Sequence, residues 1–255
     1  MKKKEHTIVI RQEEIADDIY SIWLKTEEIA AYATPGQFVS VYMDSESHIL
    51  PRPISICEID KEDDAIRLVY RIAGWGTKKL AKLYAGRTLD IVGPLGNGFD
   101  MGISGKKVLV AGGGIGIPPM LEVYRSLNCE KVAVLGFRDE LFLMDEFQSV
   151  GNFYVSTEDG SAGVKGTVTD SIVSNSLKAD VIYACGPKPM LAALKKYAAE
   201  NGIECYVSLE EKMACGIGAC LGCVCRSGKK DEHTNVNNKR ICVEGPVFNA
   251  AEVEI

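Results

Sequence analysis

The 255-residue sequence predicts a β barrel followed by a doubly wound α/β unit and a short cysteine-rich C-terminal segment. Three observations lead to this fold class. Up to about residue 100, short segments alternate apolar and polar residues, which is the pattern of strands that bury one face. From Lys106 the strands become continuously apolar and alternate with helix-length segments, as in a parallel sheet covered on both faces. Five of the nine cysteines fall after residue 214.

The first hundred residues predict a six-stranded antiparallel barrel, because each alternating run is bounded by turn residues. The runs cover residues 7–11, 18–25, 37–43, 53–59, 66–72 and 88–92. One helix is expected to interrupt them, with Thr77 as its N-cap and Gly86 just past its end. The turn-rich stretch 93–99 then indicates a connector out of the barrel.

The middle of the chain predicts five parallel strands in the doubly wound arrangement, which binds ligands at the carboxyl ends of its strands. The strands are expected at residues 107–111, 131–137, 152–156, 179–184 and 203–208, and the helices at 118–127, 139–147, 167–174 and 187–200. The polar run 227–240 indicates an exposed loop. We expect three domains, with bounds at 1–100, 101–211 and 212–255.

Charge and hydropathy argue against two classes of partner. The formal net charge is −6, and apart from three lysines at the N-terminus the basic residues form no cluster of the kind that binds nucleic acid. The sequence has no run of about 18 apolar residues and no apolar stretch typical of a signal peptide. It therefore predicts a cytoplasmic protein that binds neither nucleic acid nor membranes.

The spacing of the last cysteines indicates a metal centre, because a reducing cytoplasm disfavours structural disulfides. Cys215, Cys220 and Cys223 follow the pattern C-x4-C-x2-C, and eighteen residues separate Cys223 from Cys242. This is the spacing of plant-type ferredoxins, in which four thiolates hold a [2Fe–2S] cluster. Structural zinc is the alternative, although zinc sites favour paired short C-x2–4-C spacings. Cys225 is a spare thiol beside this set.

The other four cysteines, Cys57, Cys129, Cys185 and Cys205, are scattered along the chain. Free cysteine commonly behaves as a small buried side chain, and this is the expectation for three of them. Cys185 stands apart because Cys185-Gly186-Pro187 follows a predicted strand and opens a predicted helix. A thiol there would lie at the ligand-binding edge of the sheet, while a packed and inert cysteine is the alternative.

A glycine-rich turn between a buried strand and a helix predicts a pyrophosphate site. Gly113, Gly114 and Gly116 would let the backbone approach a phosphate, and the helix that follows would supply unpaired N–H groups. Pro119 replaces the third glycine of the usual dinucleotide fingerprint. A tight βα turn without a ligand is the alternative interpretation.

Three short segments of the barrel region together suit an anionic cofactor. They are Arg52-Pro53-Ile54-Ser55, Val69-Tyr70-Arg71 and Gly74-Trp75-Gly76-Thr77. Arginine offers a planar fork for phosphate, and serine offers a hydroxyl for the edge of a heterocycle. Taken singly, each segment is better explained by surface charge or turn chemistry.

The motifs occur together and in the order used by the ferredoxin–NADP reductase superfamily, which the chain resembles. Those that carry the resemblance are Pro35-Gly36-Gln37-Phe38, Arg52-Pro53-Ile54-Ser55, Gly74-Trp75-Gly76-Thr77, residues 93–99, residues 112–119 and Cys185-Gly186-Pro187. The segment 213–225 resembles more narrowly the electron-transfer subunits of NAD-dependent dihydroorotate dehydrogenase B.

The resemblance implies three cofactors and their residues. FAD would be held by Arg52, Pro53, Ile54, Ser55, Val69, Tyr70, Arg71, Gly76 and Thr77, with Arg52 on its phosphate and Ser55 near the reactive flavin edge. NAD would be held by Gly113, Gly114, Gly116, Cys185, Gly186 and Pro187, and the cluster by Cys215, Cys220, Cys223 and Cys242. Of these, only Cys185 is a candidate for a catalytic role, beside the nicotinamide.

The resemblance also implies a partner and a direction of electron flow. Electrons would pass from the FMN of a dihydroorotate dehydrogenase catalytic subunit through [2Fe–2S] and FAD to NAD⁺, in a heterotetramer with two copies of each subunit. Asp139 and Glu140 suit the ribose hydroxyl of NAD, whereas Arg138 suits the phosphate of NADP. The alternatives are a reductase of the same fold that serves ferredoxin or sulfur-compound reduction, and a non-enzymatic zinc-bearing interaction module.

Overall fold

In the computed structural model, which describes residues 2–43, 49–228, 230 and 235–255, six antiparallel strands close into a barrel. The strands are β1 (Lys3–Ala16), β2 (Ile19–Lys25), β3 (Phe38–Tyr42), β4 (Arg52–Asp60), β5 (Ala65–Arg71) and β6 (Thr88–Leu95). Their order is β1-β2-β5-β4-β3-β6, and β1 pairs with β6 to close the ring. Side chains such as Ile22, Leu68 and Ile91 point inward and are fully buried. The predicted six-stranded barrel is confirmed.

The helices of the barrel region differ from the prediction. Helix α1 (Glu27–Tyr32) was not expected, because its six residues are too few to establish a helical period. Helix α2 (Trp75–Leu80) begins after Gly74, so the prediction of Thr77 as N-cap is wrong. The Thr77 hydroxyl instead accepts the backbone N–H groups of Ala73 and Gly74, at 2.9 and 3.2 Å, from inside the first turn.

The α/β unit contains the five predicted parallel strands and their helices. They are β7 (Val108–Gly113), α3 (Ile117–Ser126), β8 (Lys131–Phe137), α4 (Met144–Val150), β9 (Phe153–Thr157), β10 (Val164–Lys165), α5 (Val168–Ser174), β11 (Val181–Cys185), α6 (Lys188–Asn201) and β12 (Glu204–Ser208). The parallel order is β10-β9-β8-β7-β11-β12. The two-residue β10 adds an edge strand that its length hid from the sequence pattern.

The C-terminal segment is built into the rest of the molecule. Strands β13 (Val224–Arg226) and β14 (Asn238–Arg240) form an antiparallel pair, and β15 (Val247–Asn249) pairs with β12 at the edge of the sheet. Cys223, Ile241 and Cys242 are buried in the same core as sheet residues such as Leu109. The domain bounds given above therefore remain a prediction.

The exposed loop predicted at 227–240 is wrong at both ends. Ser227 is buried and forms a bridge with Val253, and Asn238–Arg240 is a strand. Residues 229 and 231–234 of this run lie outside the described residues. In the part of the chain that is described, we find no helix long and apolar enough to cross a membrane.

Candidate cofactor sites

The Arg52 side chain lies against the first turn of α2. A Cβ atom added to Gly76 would stand 2.3 Å from Arg52 Nε, so a side chain there would force the guanidinium to shift. Arg52 also donates to the carbonyl of Leu50 at 2.5 Å. The structure thus brings Arg52, Gly76 and Thr77 together, and a guanidinium is a suitable group for binding phosphate.

The remaining residues of the predicted flavin site lie on two adjacent strands. Strand β4 carries Pro53, buried Ile54 and half-buried Ser55, and its antiparallel neighbour β5 carries Val69, Tyr70 and exposed Arg71. The Tyr70 hydroxyl donates to Gln12 Oε1 at 3.1 Å, and burial is the main reason that the pKa of Tyr70 is raised. Gln12 in turn donates to the carbonyls of Leu80 and Leu83, which ties Tyr70 to the end of α2.

The two predicted nucleotide motifs are in contact at the carboxyl ends of neighbouring strands. Strands β7 and β11 are parallel neighbours, with Gly112 opposite Cys185. A Cβ atom on Gly116 would stand 2.5 Å from the Cys185 carbonyl oxygen and 2.6 Å from Gly186 N. A Cβ atom on Gly113 would stand 3.2 Å from Pro187. The expected juxtaposition of the two motifs is confirmed.

Cys185 has an acidic neighbour that the sequence reasoning missed. The Cys185 side chain is 1% exposed, and burial raises the pKa of its thiol, with smaller effects from Glu210 and from a hydrogen bond with Ser208. Glu210, which follows β12, is open to solvent, yet the surrounding protein raises the pKa of its carboxyl. Its position just beyond the carboxyl end of a strand was the available signal.

The cysteine loop directs backbone N–H groups at one sulfur. Cys215 Sγ accepts from the backbone of Ile217 at 3.5 Å, Ala219 at 3.3 Å and Cys220 at 3.4 Å. Gly216 and Gly218 make this turn possible, with φ of +68° and +93°. Burial opposes ionisation of Cys215, but the N–H donors outweigh it and lower the pKa of the thiol to about 6.

The four predicted ligands interact electrostatically in two main pairs. Cys220 lowers the pKa of the Cys215 thiol, and buried Cys223 raises that of the Cys242 thiol, with a smaller effect from Cys215. Burial, followed by the contact with Cys223, raises the pKa of Cys242 to about 12. Among the described residues, no three of these sulfurs lie within 4.8 Å of one another. Cys225 packs against the core of the sheet instead, and burial raises the pKa of its thiol.

An ion pair that sequence reasoning missed brackets Cys242. Arg240 Nε donates to Glu244 Oε1 at 2.9 Å, and the Arg240 backbone N–H donates to Glu244 Oε2 at 2.6 Å. Burial opposes ionisation of Glu244, but its bonds to Arg240 lower the pKa of the carboxyl. Arg240 also donates to the Gly218 carbonyl at 3.4 Å, so the pair connects the strand before Cys242 with the loop around Cys215.

The cysteine loop lies directly against the barrel. A Cβ atom on Gly216 would stand 2.7 Å from Ser40 Oγ, on the strand beside Arg52 and Ser55. Asn97, in the connector after β6, donates to the carbonyls of Glu244 and Val247 at 2.9 and 3.3 Å. The barrel, the cysteine loop and the edge of the sheet therefore meet in one region.

Comparison with known proteins decides the family. A model of the iron–sulfur cluster binding domain of dihydroorotate dehydrogenase B matches residues 210–254, which include all four predicted ligands. The chain is 44% identical over 265 residues to the electron transfer subunit of dihydroorotate dehydrogenase B (NAD(+)) from Fusobacterium nucleatum subsp. nucleatum, with 99% of each chain covered. The chain belongs to this family of electron transfer subunits. The subunit from a Geobacillus species is 43% identical, again with 99% of each chain covered.

Solved structures agree with this assignment. An NADH-dependent reduced ferredoxin-NADP oxidoreductase contains a chain that matches with a TM-score of 0.87 and 29% identity, covering 98% of this chain and 90% of that one. The ferredoxin reductase of carbazole 1,9a-dioxygenase, at 21% identity and a TM-score of 0.68 over 79% of this chain and 67% of that one, shows the same fold. The resemblance stated from the sequence is confirmed, and with it the assignment as an oxidoreductase subunit with an iron–sulfur cluster binding domain.

The three residues expected to distinguish NAD from NADP differ in their contacts. Arg138, Asp139 and Glu140 follow β8 and are all exposed. Glu140 Oε2 accepts the backbone N–H of Asp17 at 3.0 Å, so this carboxylate is engaged with the barrel. Arg138 and Asp139 remain the residues through which a ribose hydroxyl or a 2′-phosphate would be read.

Proposed function

We propose that this chain passes electrons from the FMN of a dihydroorotate dehydrogenase catalytic subunit to NAD⁺, within pyrimidine biosynthesis. The observation that carries the proposal is that all three candidate sites occur in one chain, which matches the family over 99% of its length. Arg52 lies on the strand paired with that of Ser40, which contacts Gly216 of the cysteine loop, and the Gly116–Cys185 contact lies at the carboxyl ends of β7 and β11. Electron transfer needs the cluster and flavin sites to be close together, and the contact between the cysteine loop and the barrel supports this.

The pairing of the thiols supports a [2Fe–2S] cluster held by Cys215, Cys220, Cys223 and Cys242. One zinc ion with bonds of about 2.3 Å would draw all four sulfurs to roughly 3.8 Å of one another. A two-iron cluster takes two thiolates on each iron, which suits two separate pairs. The N–H groups directed at Cys215 would stabilise a ligated thiolate and tune its potential.

Flavin binding falls to the barrel residues. We assign the phosphate to Arg52, the reactive edge to Ser55 and the remaining contacts to Pro53, Ile54, Val69, Tyr70, Arg71, Gly76 and Thr77. A flavin exchanges electrons singly or in pairs, so it can link a cluster with a nicotinamide. The chain itself would supply a cation for the phosphate, and Ile54, Val69 and Tyr70 are buried on the same two strands.

The FAD assignment has a direct test in Gly76. Alanine there would displace the Arg52 guanidinium, since the added Cβ would stand 2.3 Å from Nε. A cost of about 1.4 kcal/mol or more for moving the guanidinium predicts FAD binding weakened by roughly tenfold or more. The matched control is Gly228→Ala, where no described atom lies within 4 Å of an added Cβ. Flavin fluorescence titration of the apoprotein measures both, and equal affinities would contradict the assignment.

We assign the nucleotide to Gly113, Gly114, Gly116, Cys185, Gly186 and Pro187, and NAD to the site in preference to NADP. The exposed Asp139 carboxylate supports NAD, because it would accept a ribose hydroxyl and repel a 2′-phosphate. Steady-state rates with NADH and NADPH test the choice. A preference for NADPH would assign the site to NADP, with Arg138 as the residue that binds the 2′-phosphate.

Partner, stoichiometry and compartment complete the proposal. We propose a heterotetramer of two catalytic and two electron-transfer subunits, in the cytoplasm. Exposed apolar side chains near the thiols, Ile217, Leu221 and Val243, support a protein partner on that face. All nine cysteines lie in the described residues and are free thiols, which suits a reducing compartment.

Co-expression with an FMN-containing dihydroorotate dehydrogenase tests the function as a whole. We expect a coloured complex with flavin and cluster absorbance, equal amounts of iron and acid-labile sulfide, and NAD⁺ reduction that depends on dihydroorotate. Mass measurement of the complex tests the two-plus-two assembly. A colourless product that contains zinc would refute the redox function and favour the interaction module.

A second candidate follows from the structural match to the ferredoxin-NADP oxidoreductase chain, with its TM-score of 0.87. In that case the chain would serve ferredoxin rather than a dihydroorotate-oxidising subunit. Reduction of ferredoxin by NADH without dihydroorotate, together with co-purification of a partner that lacks FMN, would favour this candidate.

A further inference from the structure

A buried arginine joins the barrel to the nucleotide unit. Arg67, on β5, has a side chain that is only 6% exposed. Its Nε donates to Ser21 Oγ at 2.8 Å, and its Nη1 donates to Glu58 Oε2 at 2.6 Å, both within the barrel. The same Nη1 donates to Glu146 Oε1 on α4 at 2.9 Å. One guanidinium thus holds two barrel strands and a helix of the other unit.

Two more contacts extend this junction to α3. Glu58 Oε1 accepts from Arg125 Nη1 at 2.6 Å, so the barrel carboxylate is bound by an arginine from each unit. Glu122 Oε2 on α3 accepts the backbone N–H of Ile59 at 3.0 Å. We call the set Ser21, Glu58, Arg67, Glu122, Arg125 and Glu146 the Arg67 cluster.

Stability does not explain the Arg67 cluster. Removing charged groups from water costs several kcal/mol per ion, and well-packed apolar residues of the same volume often stabilise a protein as much or more. Apolar contact is already present, since Ile19 and Val69 of the barrel share a core with Val123 of α3. What charged hydrogen bonds add to apolar contact is direction, because each fixes the position of a donor relative to an acceptor.

The Arg67 cluster lies on the elements that carry the cofactor sites. Strand β4 holds Arg52 and Ser55 at one end and Glu58 three residues further, at about 10 Å for an extended chain. Helix α3 begins directly after the glycine turn and carries Glu122 five residues from its first residue, at about 7.5 Å. A rotation at the cluster would therefore move the flavin residues relative to the nucleotide residues.

We propose that Arg67 is a positioning residue, and that the Arg67 cluster fixes the angle between the barrel and the nucleotide sheet so that flavin and nicotinamide face each other. The inference rests on the proposed function for the two cofactors. Arg67 touches neither predicted site. It acts through β4, α3 and α4.

The test replaces the charges without leaving one of them buried alone. In the triple variant Glu58→Leu/Arg67→Met/Glu146→Leu, apolar side chains fill a similar volume, and Glu58→Gln is the second variant if the triple one fails to fold. The control is Lys106→Met, because the Lys106–Glu204 pair at 2.5 Å is about half exposed and lies away from the junction. Hydride transfer from NADH is followed as flavin bleaching in a stopped-flow instrument, and crystal structures give the angle.

We expect the variants to retain flavin and cluster absorbance and the affinity for NADH, while flavin bleaching slows by roughly 10-fold to 100-fold, as for a reacting pair misplaced by about 1 Å. The angle between barrel and sheet should differ from that of the wild type. An unchanged angle, or an unchanged bleaching rate, would overturn the inference. If NADH does not bleach the flavin of the wild-type protein, the proposed function is refuted. The angle in the variants would still decide whether the Arg67 cluster orients the two units.

Discussion

The glycine turn of the sheet and the cysteine loop both depend on glycine, but for different physical reasons. Gly116 has an ordinary φ of −81°, and what it provides is space, because a Cβ atom would stand 2.5 Å from the Cys185 carbonyl oxygen. Gly216 and Gly218 have φ of +68° and +93°, and what they provide is a turn that directs N–H groups at a sulfur. The first site is built by close contact and the second by electrostatics.

The two sites treat a thiol in opposite ways as a result. Burial raises the pKa of Cys185, so this thiol stays protonated and packs as a small side chain. In the loop, N–H donors lower the pKa of Cys215 to about 6, which would favour the thiolate that a metal ion binds. The comparison predicts that the sheet site responds to side-chain size and the loop to the loss of sulfur or charge.

The largest effect is expected from removing a sulfur from the loop. Serine at Cys215, Cys220, Cys223 or Cys242 should abolish the cluster, since the hydroxyl is a poor substitute for a thiolate at an iron site. Iron content and visible absorbance measure the loss. The control is Cys225→Ser, which removes the neighbouring thiol that packs against the sheet core. A protein that loses its iron with Cys225→Ser but keeps it with Cys215→Ser would reverse the ligand assignment.

A smaller but still large difference is expected in thiol reactivity of the cluster-free protein. Because the pKa of Cys215 is about 6, its thiolate should predominate above pH 6 and fall away below it. Burial raises the pKa of Cys129 above the ordinary 9.0, so its thiolate should be scarce at pH 7. The pKa of Cys215 and the raised pKa of Cys129 predict that the thiolate fraction at pH 7 is about 100-fold larger or more at Cys215. Iodoacetamide should therefore alkylate Cys215 faster than Cys129, although by less than this ratio, because a thiolate of lower pKa is less nucleophilic.

Mass spectrometry of alkylated peptides across pH 5 to 9 measures both thiols in one sample. The rate at Cys215 should rise with pH and level off above about pH 7, while Cys129 should still be rising at pH 9. Parallel pH profiles for the two thiols would show that the N–H groups of the loop do not act on Cys215, and the electrostatic half of the comparison would be wrong.

Features that depend on local sequence pattern could be predicted, whereas features that depend on contacts distant in the chain could not. Alternation and unbroken apolar runs predicted the six barrel strands and the five parallel strands, because strand period is a local property. Helix α1 was missed because it is short. Strand β15 was missed because it has only three residues and pairs with β12, which lies some forty residues earlier in the chain. Spacing alone identified the four thiols, whereas their division into pairs depends on the folded loop.

The candidate sites depend on side-chain contacts that the sequence alone did not predict. Arg52 and Gly76 were recognised as separate motifs, and only the structure brings the guanidinium against the glycine. Glu210 was missed because a single glutamate is a weak signal, even at a position just beyond the carboxyl end of a predicted strand. Arg67 was missed because it pairs with Glu146, 79 residues away in the chain.

The smallest effect is expected from size in the sheet turn. Gly116→Ala would place a methyl group 2.5 Å from the Cys185 carbonyl oxygen, and that contact is backbone, so the two loops must move apart. At about 1.4 kcal/mol of overpacking, the affinity for NADH should fall by roughly tenfold. FAD and iron should stay at wild-type levels, because the barrel and the cysteine loop are not in this contact.

Isothermal titration of NADH into the Gly116→Ala and Gly228→Ala variants measures this loss of affinity. Gly228→Ala adds the same methyl group where none of the described atoms lies within 4 Å, so its affinity for NADH should equal that of the wild type. A Gly116→Ala protein that binds NADH as tightly would mean that the close contact between Gly116 and Cys185 does not shape the nucleotide site. The sheet turn would then be an ordinary βα turn, and the steric half of the comparison would be lost.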